Sequence, residues 1–167
     1  MTTTLEHILT TRHKAEMIGY LNAHPDEFRE AVQLALDDKQ PYSWRAAWLL
    51  WSCMERDDKR IKKHLNKIIT ILPFRNESQQ RDLMMILLRM QLNDEQQSRL
   101  FDVCSEIWFD IKKKPSVRIN AFKIILAIGK KHPELFPEIR LMIESHYTET
   151  LSPGVKHSLS KMMAGMK

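Results

Sequence analysis

The strongest constraint in this chain is internal repetition. Arg45, Arg81 and Arg118 each open a run of apolar residues, and they stand 36 and 37 residues apart. The segments 42–51, 79–88 and 116–125 align on these arginines without gaps. A fourth copy follows at 153–162, where Lys156 takes the arginine place 38 residues after Arg118. A second motif carries the same period. His24-Pro25 with Phe28 and Glu30, and His132-Pro133 with Phe136 and Glu138, lie 108 residues apart, which is three units of 36. Two unrelated motifs sharing one period make chance recurrence a poor explanation.

The repeat is helical. Apolar spacing and the breaks at Pro25, Pro41, Pro73, Asn93-Asp94, Pro115, Pro133 and Pro153 predict helices over 12–23, 25–37, 42–55, 58–72, 77–91, 94–112, 116–130, 133–149 and 154–164. Within 58–72, Ile61, Leu65, Ile68, Ile69 and Leu72 form one continuous stripe. The segment 116–130 is apolar on more than one face, through Ala121, Phe122, Ile124, Ile125, Leu126 and Ile128. It should be wrapped by neighbours on both sides. A lone helix pair cannot bury its stripe, so neighbouring pairs must share a core and terminal pairs must close it with polar faces. The acidic N-terminal pair (Asp26, Glu27, Glu30, Asp37, Asp38) and the short last helix suit that capping role.

Val117-Arg118 after Pro115, followed by Ala121 and a run of aliphatics, resembles the first helix of a HEAT repeat. The resemblance implies an all-α fold, a right-handed α-α superhelix of about four to five antiparallel helix pairs. It covers residues 1–167 as a single domain, with pairs at about 12–38, 42–72, 77–112 and 116–149 and a capping helix at 153–165. In that family a loop-proximal Asp and a helix Arg form a ladder between successive repeats. Here the basic anchors Arg45, Arg81, Arg118 and Lys156 are present, while Pro41, Asn76 and Pro115 stand where the acids would be. The segment 45–48 is also similar to that of short bacterial HEAT-like chains sometimes named adenylosuccinate lyase. The lyase's Ser-rich loop with its Met-Pro-x-Lys-x-Asn signature is absent.

Composition narrows the function classes. Four Gly leave no phosphate-binding Gly-rich loop, and no metalloprotease, serine-hydrolase or nucleotide-binding motif occurs. Seven His are scattered, with no pair at i, i+4 and a third ligand nearby. Cys53 and Cys104 lie in apolar helical patterns and read as reduced, buried thiols. The N-terminal residues lack a signal-peptide pattern, and no apolar run reaches the roughly 18 residues of a membrane span. These features point to a cytoplasmic chain with no catalytic centre, no cofactor, no metal site and no membrane contact. The formal charge of +5 is uneven: residues 1–56 carry six Lys/Arg against eight Asp/Glu, and residues 115–167 carry eight against four.

Two features are candidate binding surfaces. Lys59, Lys63 and Lys67 are spaced by four, with Lys62 beside them, and in a HEAT-like stack this second helix of its pair would line the concave groove. The row is either the solvated face of an amphipathic helix or a seat for phosphates or an acidic peptide. Trp44, Trp48 and Trp51 share one helix, and Trp108 sits beside Phe109. These rings are either core or a stacking and hot-spot surface. The leading expectation is a non-enzymatic protein-interaction module whose partner is another protein or a second copy of itself. The alternative is nucleic-acid binding through the lysine row, with Arg89 or Arg99 nearby. HEAT-like DNA glycosylases are one form of that alternative, but their catalytic set has no residue-by-residue match here.

Overall fold

The computed structural model describes residues 1–165. Among them the regular elements are α-helices and short 3-10 turns, with no strand. Two compact units follow one another along the chain, Met1–Gln91 and Leu92–Lys167.

The first unit opens with α1 (Thr4–Thr11), which lies outside the helices expected from the repeat. Its cause is local. Thr3 Oγ1 accepts from the Glu6 N–H and Glu6 Oε1 accepts from the Thr3 N–H, both at 3.1 Å. This capping box satisfies two N-terminal amides reciprocally, and Leu5, Ile8 and Leu9 go into the core. Then come α2 (Lys14–Ala23), α3 (Phe28–Leu36), α4 (Tyr42–Cys53), α5 (Lys59–Lys62), α6 (Leu65–Ile71) and α7 (Glu77–Leu87). The second unit contains α8 (Asp94–Phe109), α9 (Pro115–Lys131), α10 (Phe136–Leu141), α11 (Ser145–Thr148) and α12 (Pro153–Ala164). The most extensive packing couples α3 to α4, α4 to α7 and α8 to α9.

The two His-Pro motifs fold alike. Each leads into a 3-10 turn, Pro25–Glu27 or Pro133–Leu135, before its α-helix starts at Phe28 or Phe136. The preceding histidines adopt the same backbone shape, with φ −127° and ψ 65° at His24 and φ −132° and ψ 76° at His132.

Two expected helices are broken. The segment 58–72 splits into α5 and α6 at Lys63 and His64, where the His64 N–H bonds to the Ile61 carbonyl three residues back. A 3-10 turn (Leu72–Phe74) ends it at Pro73. The apolar stripe nevertheless holds, because Ile61, Leu65, Ile68, Ile69 and Leu72 are all buried. The segment 133–149 likewise divides into α10 and α11. The inner helix is as anticipated: α9 buries residues around most of its circumference, among them Val117, Phe122, Ile125 and Leu126. Both cysteines are free; Cys104 is buried and Cys53 is half-buried, contrary to the expectation that both lie inside.

The repeat anchors acquire a physical role. Arg45 Nη1 donates to the Leu9 carbonyl at 2.8 Å. Arg118 is fully buried; its Nε donates to the Trp108 carbonyl at 2.8 Å and its Nη2 to the Tyr147 carbonyl at 2.5 Å. Arg75 Nη2 donates to the Leu36 carbonyl at 2.7 Å. Each acceptor lies in the last turn of a helix, where carbonyls lack an intrahelical partner and the helix dipole is negative. The missing ladder acids are thus replaced, at Arg45 and Arg118, by helix-terminal carbonyl oxygens. Arg81 pairs with its neighbour Asp82 at 3.3 Å, and Lys156 is exposed.

Candidate functional site

Two surfaces of the first unit gather polar and aromatic chemistry. The first lies along α4. Trp44, Trp48 and Trp51 fall at i, i+4 and i+7, on one face of the helix, and all three are half-buried. Each ring has a cation over it. Arg45 lies 5.2 Å from the Trp44 centroid, Lys14 of α2 lies 5.1 Å from Trp48, and Arg89, just beyond α7, lies 5.1 Å from Trp51. Trp48 and Trp51 meet edge to face at 6.2 Å. Behind them is a buried carboxylate. Asp82 Oδ1 accepts from Trp51 Nε1 at 3.1 Å, and Arg81 lies on its other oxygen. Burial pushes the Asp82 carboxyl up, while Arg81, Trp51 and Lys14 oppose that rise.

The second surface is a cleft of about 380 Å³ where the start of α3 faces α5. Pro25, Asp26, Arg29, Lys59, Arg60, Lys63 and His64 line it, and Phe28 and Val32 lie buried beneath it. Arg60 is committed elsewhere. Its Nε and Nη2 grip Asp58 at 3.0 and 2.8 Å, and its guanidinium lies 3.6 Å from the Phe28 centroid. Asp58 in turn caps α5 by accepting from the Arg60 N–H at 3.0 Å. The Arg60 guanidinium, with the backbone amides of Glu55 and Arg60, holds the Asp58 carboxyl down at about 2. Burial, followed by the charges of Lys63 and Arg29, lowers the His64 imidazole below its ordinary value. The side chains of Arg29, Lys59 and Lys63 have no ion-pair partner among the described residues.

The structure divides the lysine row that the sequence suggested. Lys59 and Lys63 line the cleft, Lys62 pairs with Asp57 at 3.7 Å, and Lys67 lies beyond the break, in α6 and away from the cleft lining. Trp108 is not part of any surface. It is 0% exposed, donates from Nε1 to the Met142 carbonyl at 2.7 Å and packs against Phe122 with centroids 4.7 Å apart. Its neighbour Phe109 is the exposed ring of that pair. Sequence spacing missed Arg29 and Phe28 as partners of the lysines, although the His24-Pro25 motif marks where α3 begins. Nothing in the sequence placed Lys14 or Asp82 beside the tryptophans.

Among the described residues no group of His, Cys, Asp and Glu is positioned to hold a metal ion, and no helix is long and apolar enough to cross a membrane. The model of the HEAT repeat domain family matches residues 1–166. Neither a curated protein nor a solved structure matches the chain.

Proposed function

We infer that this chain, which belongs to the HEAT repeat domain family, is a non-enzymatic module that binds a segment of another protein on the tryptophan face of α4. The observation that carries this reading is the row Trp44, Trp48 and Trp51, half-buried along one face with a cation over every ring. Trp and Arg are the side chains that concentrate binding energy at protein interfaces, where rigid rings lose little entropy on contact. The cations set the partner's chemistry: its segment carries Asp or Glu side chains beside an apolar anchor.

The test is zero-length carbodiimide coupling after capture from cell extract. The expected result is a protein that survives nuclease and moderate salt, couples through its carboxylates to Lys14, and is lost with Trp48→Ala. Equal capture by Trp48→Ala, or loss of all capture on nuclease treatment, overturns the reading. The second outcome would favour nucleic-acid binding, whose phosphate contacts weaken steeply with salt.

A further inference from the structure

We propose that Asp82 is the positioning residue of the tryptophan face: it sets the Trp51 indole in place by accepting from Nε1, and it is kept for that orientation and not for stability. The proposal deepens the reading of that face as the binding surface and rests on it for its effect on a partner.

The repeat supplies the first argument. Asp82 stands one place after the anchor Arg81, and the matching places after Arg45 and Arg118 hold Ala46 and Ile119. All three are buried, Asp82 with 1% of its surface exposed. The fold thus fills this place with an apolar side chain in the other two buried copies, and the packing of the repeat does not call for a carboxylate. A carboxylate taken out of water loses hydration that one ion pair seldom returns, and an apolar side chain of similar size is often as stable there or more so. The cation that answers Asp82 is itself in contact with water. Arg81 lies 3.3 Å away and its side chain is 37% exposed. Removing the acid therefore strands no buried charge.

What the carboxylate holds supplies the second argument. Asp82 Oδ1 accepts from Trp51 Nε1 at 3.1 Å, reaching from α7 to α4. Trp51 is half-buried, so packing touches only part of its ring, and the Nε1 bond selects one orientation of the indole. That orientation fixes the edge-to-face contact with Trp48 at 6.2 Å and the seat of Arg89, 5.1 Å over the ring. Lys14, the cation over Trp48, also feels the Asp82 charge. One buried group ties together two rings and two cations of the face. A ring already set loses little freedom when a partner closes over it.

The experiment compares Asp82→Leu and Asp82→Asn with the parent. Its first two readouts need no partner. The indole N–H signals of isotope-labelled protein are followed by NMR, with that of Trp51 identified by its loss in Trp51→Phe. In Asp82→Leu this signal should move upfield and its proton should exchange with water about tenfold faster, as expected of a donor released from a charged acceptor. The melting temperature should stay within about 4 °C of the parent or rise. Asp82→Asn, whose amide oxygen can still accept from Nε1, should restore the signal and its slow exchange. Of the protein that the parent captures from cell extract, Asp82→Leu should retain about fivefold less, the cost of ordering one side chain on contact, and Asp82→Asn should stay within about twofold. An Asp82→Leu chain that unfolds or melts more than about 4 °C below the parent would overturn the proposal, because the carboxylate would then be held for stability. An unchanged Trp51 signal would overturn it too, as would Asp82→Leu capturing as much protein as the parent while Trp48→Ala captures none. Failure of the surface reading looks different: Trp48→Ala captures as much as the parent, and the indole signal and the melt then decide whether Asp82 sets Trp51.

Discussion

At the scale of single residues, the arginine anchors carry unequal burdens. Arg118 uses Nε, Nη1 and Nη2, bonding Trp108, Thr150 and Tyr147 while completely buried. Arg45 makes one such bond, to Leu9, and its buried Nε finds no partner among the described residues. Removing a donor costs most when it strands buried acceptors. Arg118→Met should therefore destabilise the chain by roughly 3 kcal/mol, and Arg45→Met by roughly 1 kcal/mol. Urea-unfolding midpoints distinguish the two; equal losses would show that the carbonyl contacts are not what the anchors supply. The 36-residue spacing revealed the arginines. Their acceptors stayed hidden, because a backbone carbonyl leaves no mark in a sequence.

At the scale of elements, periodicity proved blind to interruption. A stripe at Ile61, Leu65, Ile68 and Leu72 stays on one side whether or not the helix breaks between Ile61 and Leu65, so the pattern could not show α5 ending at Lys62. No Pro or Gly marks that break. The Thr3 capping box, by contrast, was legible as a motif, but the apolar run behind it was too short to register as a helix. The α5 turn depends on Asp58, whose side chain is 3% exposed. Its carboxyl titrates at about 2 in the fold, against about 3.9 in an unfolded chain. A depressed folded value means stability that is present above the unfolded value and is lost as pH falls toward the folded one. Asp58→Asn keeps a capping oxygen but loses the charge. It should be about 1 kcal/mol less stable than the parent at pH 7, an allowance reduced because Arg60 is half exposed. The gap should close between pH 4 and pH 2, where thermal melts of parent and variant should converge. A gap that persists at pH 2 would mean the ion pair is not its source.

At the scale of the molecule, family and fold class were legible early, since two independent motifs shared one period and the HEAT repeat domain model spans residues 1–166. The division after Gln91 was not, because the repeat runs across it without a change in composition. The candidate surfaces were half legible. The lysines and tryptophans stood out, but Arg29, Lys14 and Asp82 reach them from other helices. Both surfaces lie in the first unit, and the cores of the two units contain different kinds of thiol. Cys104 is 0% exposed and burial drives its thiol far up, so it is withheld from reagents that need thiolate. Cys53 is half-buried, with its thiol raised by burial and drawn back by Arg60. An alkylating reagent added to native protein should modify Cys53 first and reach Cys104 only when the second unit opens. Equal rates at the two sites would contradict the packing around α8. The ordinary act of labelling a thiol thus becomes a stopwatch for one half of the chain, read as the mass that each alkylation adds.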